Sequence, residues 1–351
     1  MKDTVVNLKS VVSFLKPYKY SDIQITVGKK ISYRLVTGFV DVPFSPIVTN
    51  KFSFDLVNEM IGYYAKTEEE RKKTLDKFLF KRHLDFAFDC EDERFRTAIY
   101  FEKGNVGASL RRLQNRPLFL DELLIDPRIA NYIEKGGGLI LIAGKTASGK
   151  TTTAVALIQH LTRKKSGLHV VSIEDPIEYV IPHGNCIVEQ RELGTDVIDY
   201  QSALVSIVRE NPDFVFFGEI RDEITARYAI LLASTGHTVL ATFHAFPAVN
   251  AFERFVSLLQ SQEDRHLFAS SFTAVVAQKL ENYNGIFYPV FEIVEQTPAI
   301  ERLVREGQFS QITATYKGNG YVLSIEESQA LQIARINRLL GKSEQLERKI
   351  W

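Results

Sequence analysis

The sequence predicts an α/β fold with a helix-flanked parallel sheet, preceded by a smaller α+β domain. Two patterns lead to this expectation. In the C-terminal two-thirds, apolar runs alternate with helical stretches, and each run is apolar throughout, which indicates strands buried on both faces. In the first 113 residues, strand-like segments instead alternate apolar and polar residues, which indicates strands with one solvated face. The continuous apolar runs are 139–143, 169–173, 214–218 and 238–242.

Composition narrows the class of protein. The 351 residues are 45% hydrophobic, and 43 basic residues balance 43 acidic ones. The chain can therefore fill two folded domains, but it has no net charge that would attract nucleic acid or an anionic membrane. Cys90 and Cys186 form no C-x-x-C pair, which favours a reducing compartment. Because no segment resembles a signal peptide or approaches the roughly 18 apolar residues of a membrane span, we expect a cytoplasmic protein.

The N-terminal domain begins with a predicted helix and a predicted hairpin. Apolar residues recur at near-helical spacing over 4–15 and stop before Pro17, which indicates a short amphipathic helix. Residues 21–28 and 31–35 each alternate, and Gly28 falls between them, which is typical of two strands joined by a turn.

A helical region and two further strands complete this domain. Residues 54–80 have a helical pattern, and we expect the charge run at 66–73 to form a solvated turn between two helices. Alternation returns at 84–88 and 94–101, which indicates two strands. We place the domain at residues 1–113.

The linker is predicted at residues 114–124, because 114–118 is polar and contains proline. Residues 120–124 have the pattern of a first helix of the next domain, which we place at 125–351. Within it, helical stretches at 152–162, 200–209 and 223–234 separate the apolar runs. The end of the chain has a largely helical pattern, most clearly at 299–306 and 328–340.

The first apolar run leads directly into a phosphate-loop motif. Gly144, four residues, then Gly149, Lys150 and Thr151 match G-x-x-x-x-G-K-[ST] in the strand–loop–helix context that the motif requires. Glycines let backbone N–H groups point inward, and the helix N-terminus adds partial positive charge, so the loop can hold an anion. The alternative is a flexible Gly/Ser loop before an ordinary helix. The residues expected to bind ATP are Gly144, Thr146, Ser148, Gly149, Lys150, Thr151 and Thr152.

Acidic residues follow the second and third apolar runs. Glu174, Asp175 and Glu178 come after 169–173, and Glu219 comes after 214–218. Ligands bind at the carboxyl ends of the strands in open α/β sheets, so a carboxylate there can orient and deprotonate the attacking water. Glu219 matches the acid that, with Thr151, holds Mg²⁺ directly or through water. The alternative for the first group is a helix cap with solvated acids.

Two histidines, His237 and His244, bracket the fourth apolar run. A lone histidine is more often structural than catalytic. Two histidines beside strands that end in acidic residues favour a sensor of the γ-phosphate. An odd separation on one strand would not point both rings to the same face, which argues against a zinc site.

These motifs together resemble those of the secretion ATPases of type II secretion, type IV pili and related machines. In that family a Walker A loop, an acidic box, a Walker B segment and a paired-histidine box occur in this order. Here they are 144–151, 173–179, 218–222 and 235–244. The resemblance implies a RecA-like P-loop NTPase core with a PAS-like N-terminal domain, because residues 21–25 are similar to the start of that domain.

The resemblance also implies roles for four residues. Glu178 corresponds to the catalytic glutamate, and Glu219 to the Walker B glutamate. Arg96 and Arg111 are similar in placement to arginines that reach the γ-phosphate. Because Phe95, Thr97 and Ile99 form the apolar face of the predicted strand, Arg96 would lie on the opposite face. The alternative for Arg96 is a surface salt bridge with an acid at position 91, 92 or 102.

Within the family, residues 299–306 are similar to a segment of PilT-type pilus-retraction ATPases. The resemblance implies a hexameric motor that retracts type IV pili and docks on an inner-membrane platform protein, at the cytoplasmic face of that membrane. Alternatives are an assembly or secretion ATPase of a competence pilus, type II secretion or conjugation-type system. A nucleotide-gated module without hydrolysis and a nucleic-acid motor are further alternatives. The zero net charge and the lack of a basic, aromatic-rich stripe disfavour the nucleic-acid motor.

Overall fold

Two units organise the chain in this computed structural model, which describes residues 6–113, 117–312 and 322–347. Unit 1 comprises Met1–Arg116 together with Pro176–Val180. Unit 2 comprises Pro117–Asp175 and Ile181–Trp351. The division therefore assigns a five-residue segment from the acidic motif to unit 1, which the sequence pattern did not indicate. The predicted linker at 114–124 stays a prediction, since 114–116 lie outside the described residues.

Unit 1 is an antiparallel sheet with helices. Its strand order is β3-β2-β1-β6-β5-β4. The predicted hairpin is confirmed, because Ile23 is paired with Tyr33. The elements in chain order are α1 (Leu8–Leu15), β1 (Asp22–Ile25), β2 (Ser32–Leu35), β3 (Gly38–Asp41), α2 (Asn50–Tyr64), α3 (Glu68–Lys81), β4 (His83–Cys90), β5 (Glu93–Glu102) and β6 (Asn105–Arg112).

The charge run at 66–73 is mostly helical, so the prediction of a turn there is wrong. Thr67 caps α3 by accepting from the backbone N–H of Glu70, while the Glu70 carboxylate accepts from the N–H of Thr67. This capping box satisfies N–H groups that the first helical turn leaves unpaired. Three glutamates in that turn also complement the helix dipole, so the charges stabilise the helix start.

Strand β5 alternates strictly between buried and half-buried residues from Glu93 to Tyr100. Phe95, Thr97 and Ile99 are fully buried, which confirms that Arg96 lies on the opposite face. Arg96 is paired directly with Arg111 across the β5–β6 ladder. The sheet thus places both arginines side by side on one face.

Unit 2 is built on an eight-stranded sheet of order β14-β13-β12-β7-β11-β10-β8-β9. The strands from β12 to β9 are parallel to their neighbours, while β13 and β14 are antiparallel. The strands are β7 (Gly138–Ala143), β8 (His169–Glu174), β9 (Ile187–Glu192), β10 (Phe214–Ile220), β11 (Thr238–Phe243), β12 (Phe272–Tyr283), β13 (Ile286–Glu295) and β14 (Val322–Leu323). The helices are α4 (Pro127–Lys135), α5 (Lys150–Lys164), α6 (Tyr200–Glu210), α7 (Glu223–Ser234), α8 (Ala248–Leu258), α9 (Gln262–Ser271), α10 (Pro298–Arg305) and α11 (Ile325–Glu347).

The four predicted parallel strands are confirmed, and their apolar residues are buried on both faces. In β11 all six residues are buried, and in β7 the five from Leu139 to Ala143 are. Helices therefore cover the sheet on each side, which is the expected α/β arrangement. Among helices of the described ranges, none combines the length and apolar composition that a membrane crossing requires.

One expectation for this unit is wrong, and one hairpin was not predicted. Residues 120–124 form a turn, and the first helix starts at Pro127, because Asp126 caps it and proline suits the first helical position. The helices expected at 299–306 and 328–340 are confirmed by α10 and α11. A long hairpin, β12–β13, adds two strands to the sheet beside β7. The apolar runs within its two strands are too short for periodicity to distinguish a strand from a buried helix.

Candidate nucleotide-binding site

The phosphate-loop motif forms a tight turn between β7 and α5. The loop begins at Gly144, directly after β7, and Gly149 precedes the helix with a φ of 83°. That left-handed conformation favours glycine. Gly149 has no side chain with which to cap α5, and N–H groups at the start of a helix can hold an anion.

The residues that were expected to bind nucleotide differ in their exposure. Gly144 and Ser148 are buried, whereas Thr146 is exposed. Lys150, Thr151 and Thr152 form the first turn of α5 and are half-buried. The Lys150 amine donates to the backbone carbonyl of Lys145 at 2.9 Å. A phosphate oxygen could replace this carbonyl oxygen as the acceptor of the hydrogen bond from the Lys150 ammonium group.

The acid of the third strand lies at the same sheet edge as the loop. Strand β10 is parallel to β11, and β11 is parallel to β7, so their carboxyl ends coincide. Glu219 lies near the end of β10, where its carboxylate accepts from the Arg221 Nε at 2.7 Å. Arg221 Nη1 also donates to Asp175 at 3.0 Å, just beyond β8. One guanidinium thus connects the acids of two strand ends.

These charges shift the pKa of their neighbours. Burial alone would lower the pKa of Arg221, but its hydrogen bond to Glu219 and the charges of both acids raise it above the usual value. Burial raises the pKa of Tyr200 to about 12, and the negative charge of Asp175 contributes. The strand edge therefore holds a permanent cation and a neutral tyrosine at physiological pH.

The two histidines lie at opposite ends of β11. His244 follows Phe243, which is paired with Ala143 at the start of the phosphate loop. His237 precedes Thr238, which is paired with Gly138 at the other end of the strand. Six residues of strand separate the two ends by roughly 20 Å. Within one chain the structure brings His244 to the loop and does not bring His237 there, so the two do not form one sensor.

His237 has a structural environment instead. Its Nδ1 lies 3.1 Å from both the Thr235 hydroxyl and the Leu232 carbonyl oxygen. These contacts fix the turn that connects α7 to β11. The structural alternative considered for a lone histidine therefore describes His237 within the single chain.

A cleft of about 460 Å³ opens beside the loop. Thr146, Glu219 and His244 line it, which brings together predicted residues from three separate motifs. Arg254 of α8 also lines the cleft, donates to the backbone carbonyl of His244, and stacks over Phe243. Sequence reasoning missed Arg254, because nothing in a helix ten residues beyond the histidine marks it. A basic side chain in this cleft adds to its capacity for an anion.

Three predicted residues belong to unit 1. Arg96 Nη1 lies 3.5 Å from the Glu178 carboxylate, and Arg94 Nε donates to the Ile177 carbonyl at 3.1 Å. Arg111 Nε lies 3.4 Å from Asp22. Among the residues that the structure describes, the carboxylate paired with Arg96 is that of Glu178, the predicted catalytic glutamate, and not one of the surface acids at 91, 92 and 102. The structure thus brings Arg96 and Glu178 together.

The donors proposed for magnesium are oxygen ligands. A threonine hydroxyl at the start of α5 and the Glu219 carboxylate suit a hard cation such as Mg²⁺. A different cluster has metal-like geometry among the described residues, namely His169, Glu189 and Glu210. Arg191 bonds to both of these glutamates at 2.7–2.8 Å, so their negative charge is partly compensated.

Residues 104–323 match the family described as Type II/IV secretion system protein. The chain belongs to this family. It is 30% identical to the Escherichia coli protein described as Uncharacterized protein YggR, over 93% of this chain and 98% of that protein. It is 32% identical to the type IV pilus retraction ATPase PilT of Pseudomonas aeruginosa, over 90% of each chain.

A solved structure also resembles the chain. The crystal structure of the pilus retraction motor PilT with bound ADP aligns with a TM-score of 0.79 at 28% identity, covering 92% of this chain and 96% of that one. The resemblance to secretion ATPases, PilT-type enzymes among them, is therefore confirmed, as is the predicted fold class. The roles of individual site residues stay predictions.

Proposed function

We propose that this protein is an ATPase motor that hydrolyses ATP to ADP and phosphate and drives the retraction of type IV pili. The observation that carries the ATPase proposal is the phosphate loop, whose uncapped helix start lies at the same sheet edge as Glu219. A loop alone would serve binding. An acid at the neighbouring strand ends is what hydrolysis needs in addition.

Each residue then has a defined task. Loop N–H groups hold the β-phosphate, and the Lys150 ammonium moves from the Lys145 carbonyl to the phosphate oxygens. Glu178 orients the attacking water and accepts its proton. Arg96 and Arg111 stabilise negative charge on the γ-phosphate, and His244 contacts the nucleotide in the cleft. When bound, Mg²⁺ would supply positive charge that stabilises the phosphates, and Thr151 and Glu219 would hold it.

A Lys150→Ala variant tests the ATPase proposal. We expect phosphate release to fall at least a hundredfold, because the developing charge loses a preorganised cation. Lys164→Ala is the matched control, since it removes the same side chain from the other end of α5, where Lys164 pairs with Glu134. Wild-type turnover by a folded Lys150→Ala protein would refute the assignment.

The pilus-retraction part of the proposal is supported by PilT, to which the chain is similar along most of its length. The alternative is an assembly or secretion ATPase of a competence pilus, type II secretion or conjugation-type system. Deletion of the gene distinguishes them. Loss of retraction leaves cells with excess pili, whereas loss of assembly leaves cells without pili.

We further propose that the protein works as a homo-oligomeric ring, with a hexamer as the expected form. An inner-membrane platform protein of the pilus machine would hold the ring at the cytoplasmic face. Sedimentation velocity with micromolar protein and a non-hydrolysable ATP analogue should give a ring-sized species. A monomer alone under these conditions would contradict the ring.

A further inference from the structure

Gln278 on β12 is hydrogen-bonded to the end of the phosphate loop and to the first turn of α5. Its Nε2 donates to the Ser148 carbonyl at 2.7 Å, and its Oε1 accepts from the Thr153 hydroxyl at 2.8 Å. Ser148 is in the loop, and Thr153 is in the first turn of α5. The side chain of Gln278 is only 1% exposed. One buried amide therefore connects the loop to the helix that follows it.

The register of the sheet fixes this position. Ala277 is paired with Ala143, the last residue of β7, so Gln278 is the first residue of β12 beyond that pairing. Gln278 therefore lies in β12 at the point where β7 has ended and the chain has entered the loop at Gly144. Gln278 thus supplies polar groups to a loop that has left the β7–β12 ladder.

At both glycines of the phosphate-loop motif, an added side chain would meet Gln278. A Cβ added at Gly144 would lie 2.5 Å from the Gln278 carbonyl oxygen, and one added at Gly149 would lie 3.0 Å from its Nε2. Gly144 has no left-handed backbone, so the close approach of β12, together with the Ser148 side chain in the loop, is what excludes a side chain there. Both glycines are therefore required by contact with this residue as well as by the loop itself.

We propose that Gln278 is a positioning residue for nucleotide binding, which holds the phosphate loop in its binding conformation before ATP or ADP arrives. This inference rests on the function proposed above. A loop that is already ordered loses less conformational entropy on binding. Without Gln278, the Ser148 carbonyl and the Thr153 hydroxyl would each lose a buried hydrogen-bond partner, which favours other loop conformations.

The proposal predicts a specific kinetic pattern. The loop contacts phosphates shared by ATP and ADP, so the dissociation constants of both should rise by a similar factor. We expect about tenfold, the size that follows from loss of a buried hydrogen bond. Gln278 would act on the loop and not on the attacking water or the γ-phosphate. We therefore expect kcat at saturating ATP to stay within about threefold while KM rises.

Gln278→Met is the decisive variant, because methionine has similar length and cannot pair with either group. Gln332→Met is the matched control. Gln332 is 2% exposed, and its Nε2 donates to a backbone carbonyl, that of Leu124, at 2.6 Å. Both variants remove one buried amide from unit 2. Titration with a fluorescent ADP analogue measures binding, and steady-state phosphate release gives KM and kcat.

Thr153→Val supplies an independent test from the opposite side of the same bond, and keeps the proposal testable if Gln278→Met does not fold. It should weaken ADP binding by about threefold, because it removes one of the two bonds to the amide. The double variant should bind no more weakly than Gln278→Met alone, since Thr153 acts through Gln278.

The outcomes separate the two proposals. If wild-type protein binds no ADP analogue, the proposed function is wrong. If wild-type protein binds and both Gln278→Met and Thr153→Val bind equally well, the positioning role of Gln278 is wrong. Equal weakening by Gln332→Met would also overturn it, because general destabilisation would then explain the effect. Tenfold weakening confined to Gln278→Met, with kcat retained, supports the role.

Discussion

The two sheets of this protein present functional groups in different ways. In the antiparallel sheet of unit 1, β5 buries every second residue and leaves the others accessible, so Arg94 and Arg96 lie along the face of the strand. In unit 2, β11 is buried at every position, and β10 at its first four. A strand covered on both faces can offer polar side chains only at its ends.

The site follows from this difference. Glu219, His244 and the phosphate loop all lie at carboxyl ends of parallel strands. Arg96 and Arg111, by contrast, lie within their ladder, next to its terminal pair, and are paired with each other. Substitutions on the open face of unit 1 should therefore affect activity without affecting folding, whereas substitutions in the parallel strands should affect folding first.

The largest expected effect is on the two arginines. Arg96→Ala and Arg111→Ala should each bind ATP nearly normally yet lose about 10³–10⁵ in turnover, the range of arginine fingers. Phosphate release and nucleotide titration measure the two properties. Arg34→Ala is the control, since Arg34 lies in the same sheet, is exposed and is paired with Asp22. A variant that keeps more than half of the wild-type rate would make its arginine structural.

The next effect concerns stability, and it compares neighbouring positions. Phe216 and Phe217 are adjacent, point to opposite faces of β10 and are both fully buried. We expect Phe216→Ala and Phe217→Ala each to lower the free energy of unfolding by about 3–5 kcal/mol.

In β5 only one of two neighbours should matter. Phe95→Ala should cost about 3–5 kcal/mol and Arg96→Ala less than about 1 kcal/mol. Urea unfolding followed by circular dichroism measures all four variants. If either phenylalanine of β10 were tolerated as well as Arg96→Ala, the two sheets would not differ in the way described.

The smallest expected effect is on the free energy of unfolding, from a substitution on the accessible face of the unit 1 sheet. Asp22 accepts from Ser21 and lies 3.4 Å from Arg111 and 3.8 Å from Arg34. Both arginines are more than half exposed, so solvent screens these pairs. Asp22→Asn should change the free energy of unfolding by less than about 1 kcal/mol in the same urea experiment. A loss of several kcal/mol would mean that this face has a folding role.

Some of the structure could be predicted because its signals are local. Continuous apolar runs located four strands of the parallel sheet, and the glycines and lysine of the loop located the phosphate site. The strand alternation around Arg96 gave the face on which it lies. In contrast, the charges at 66–73 were interpreted as a turn, because solvation and helix capping use the same residue types.

The sequence by itself determined the family, the fold class and the strand ends that carry acids, since motif spacing and periodicity depend only on near neighbours. Tertiary structure alone decided which distant groups meet. Thr153 and Gln278 are 125 residues apart, and only the pairing of β12 with β7 joins them. Strand direction alone separates His237 from the loop. Strand order and register arise from packing of the whole core, so no local pattern contains them.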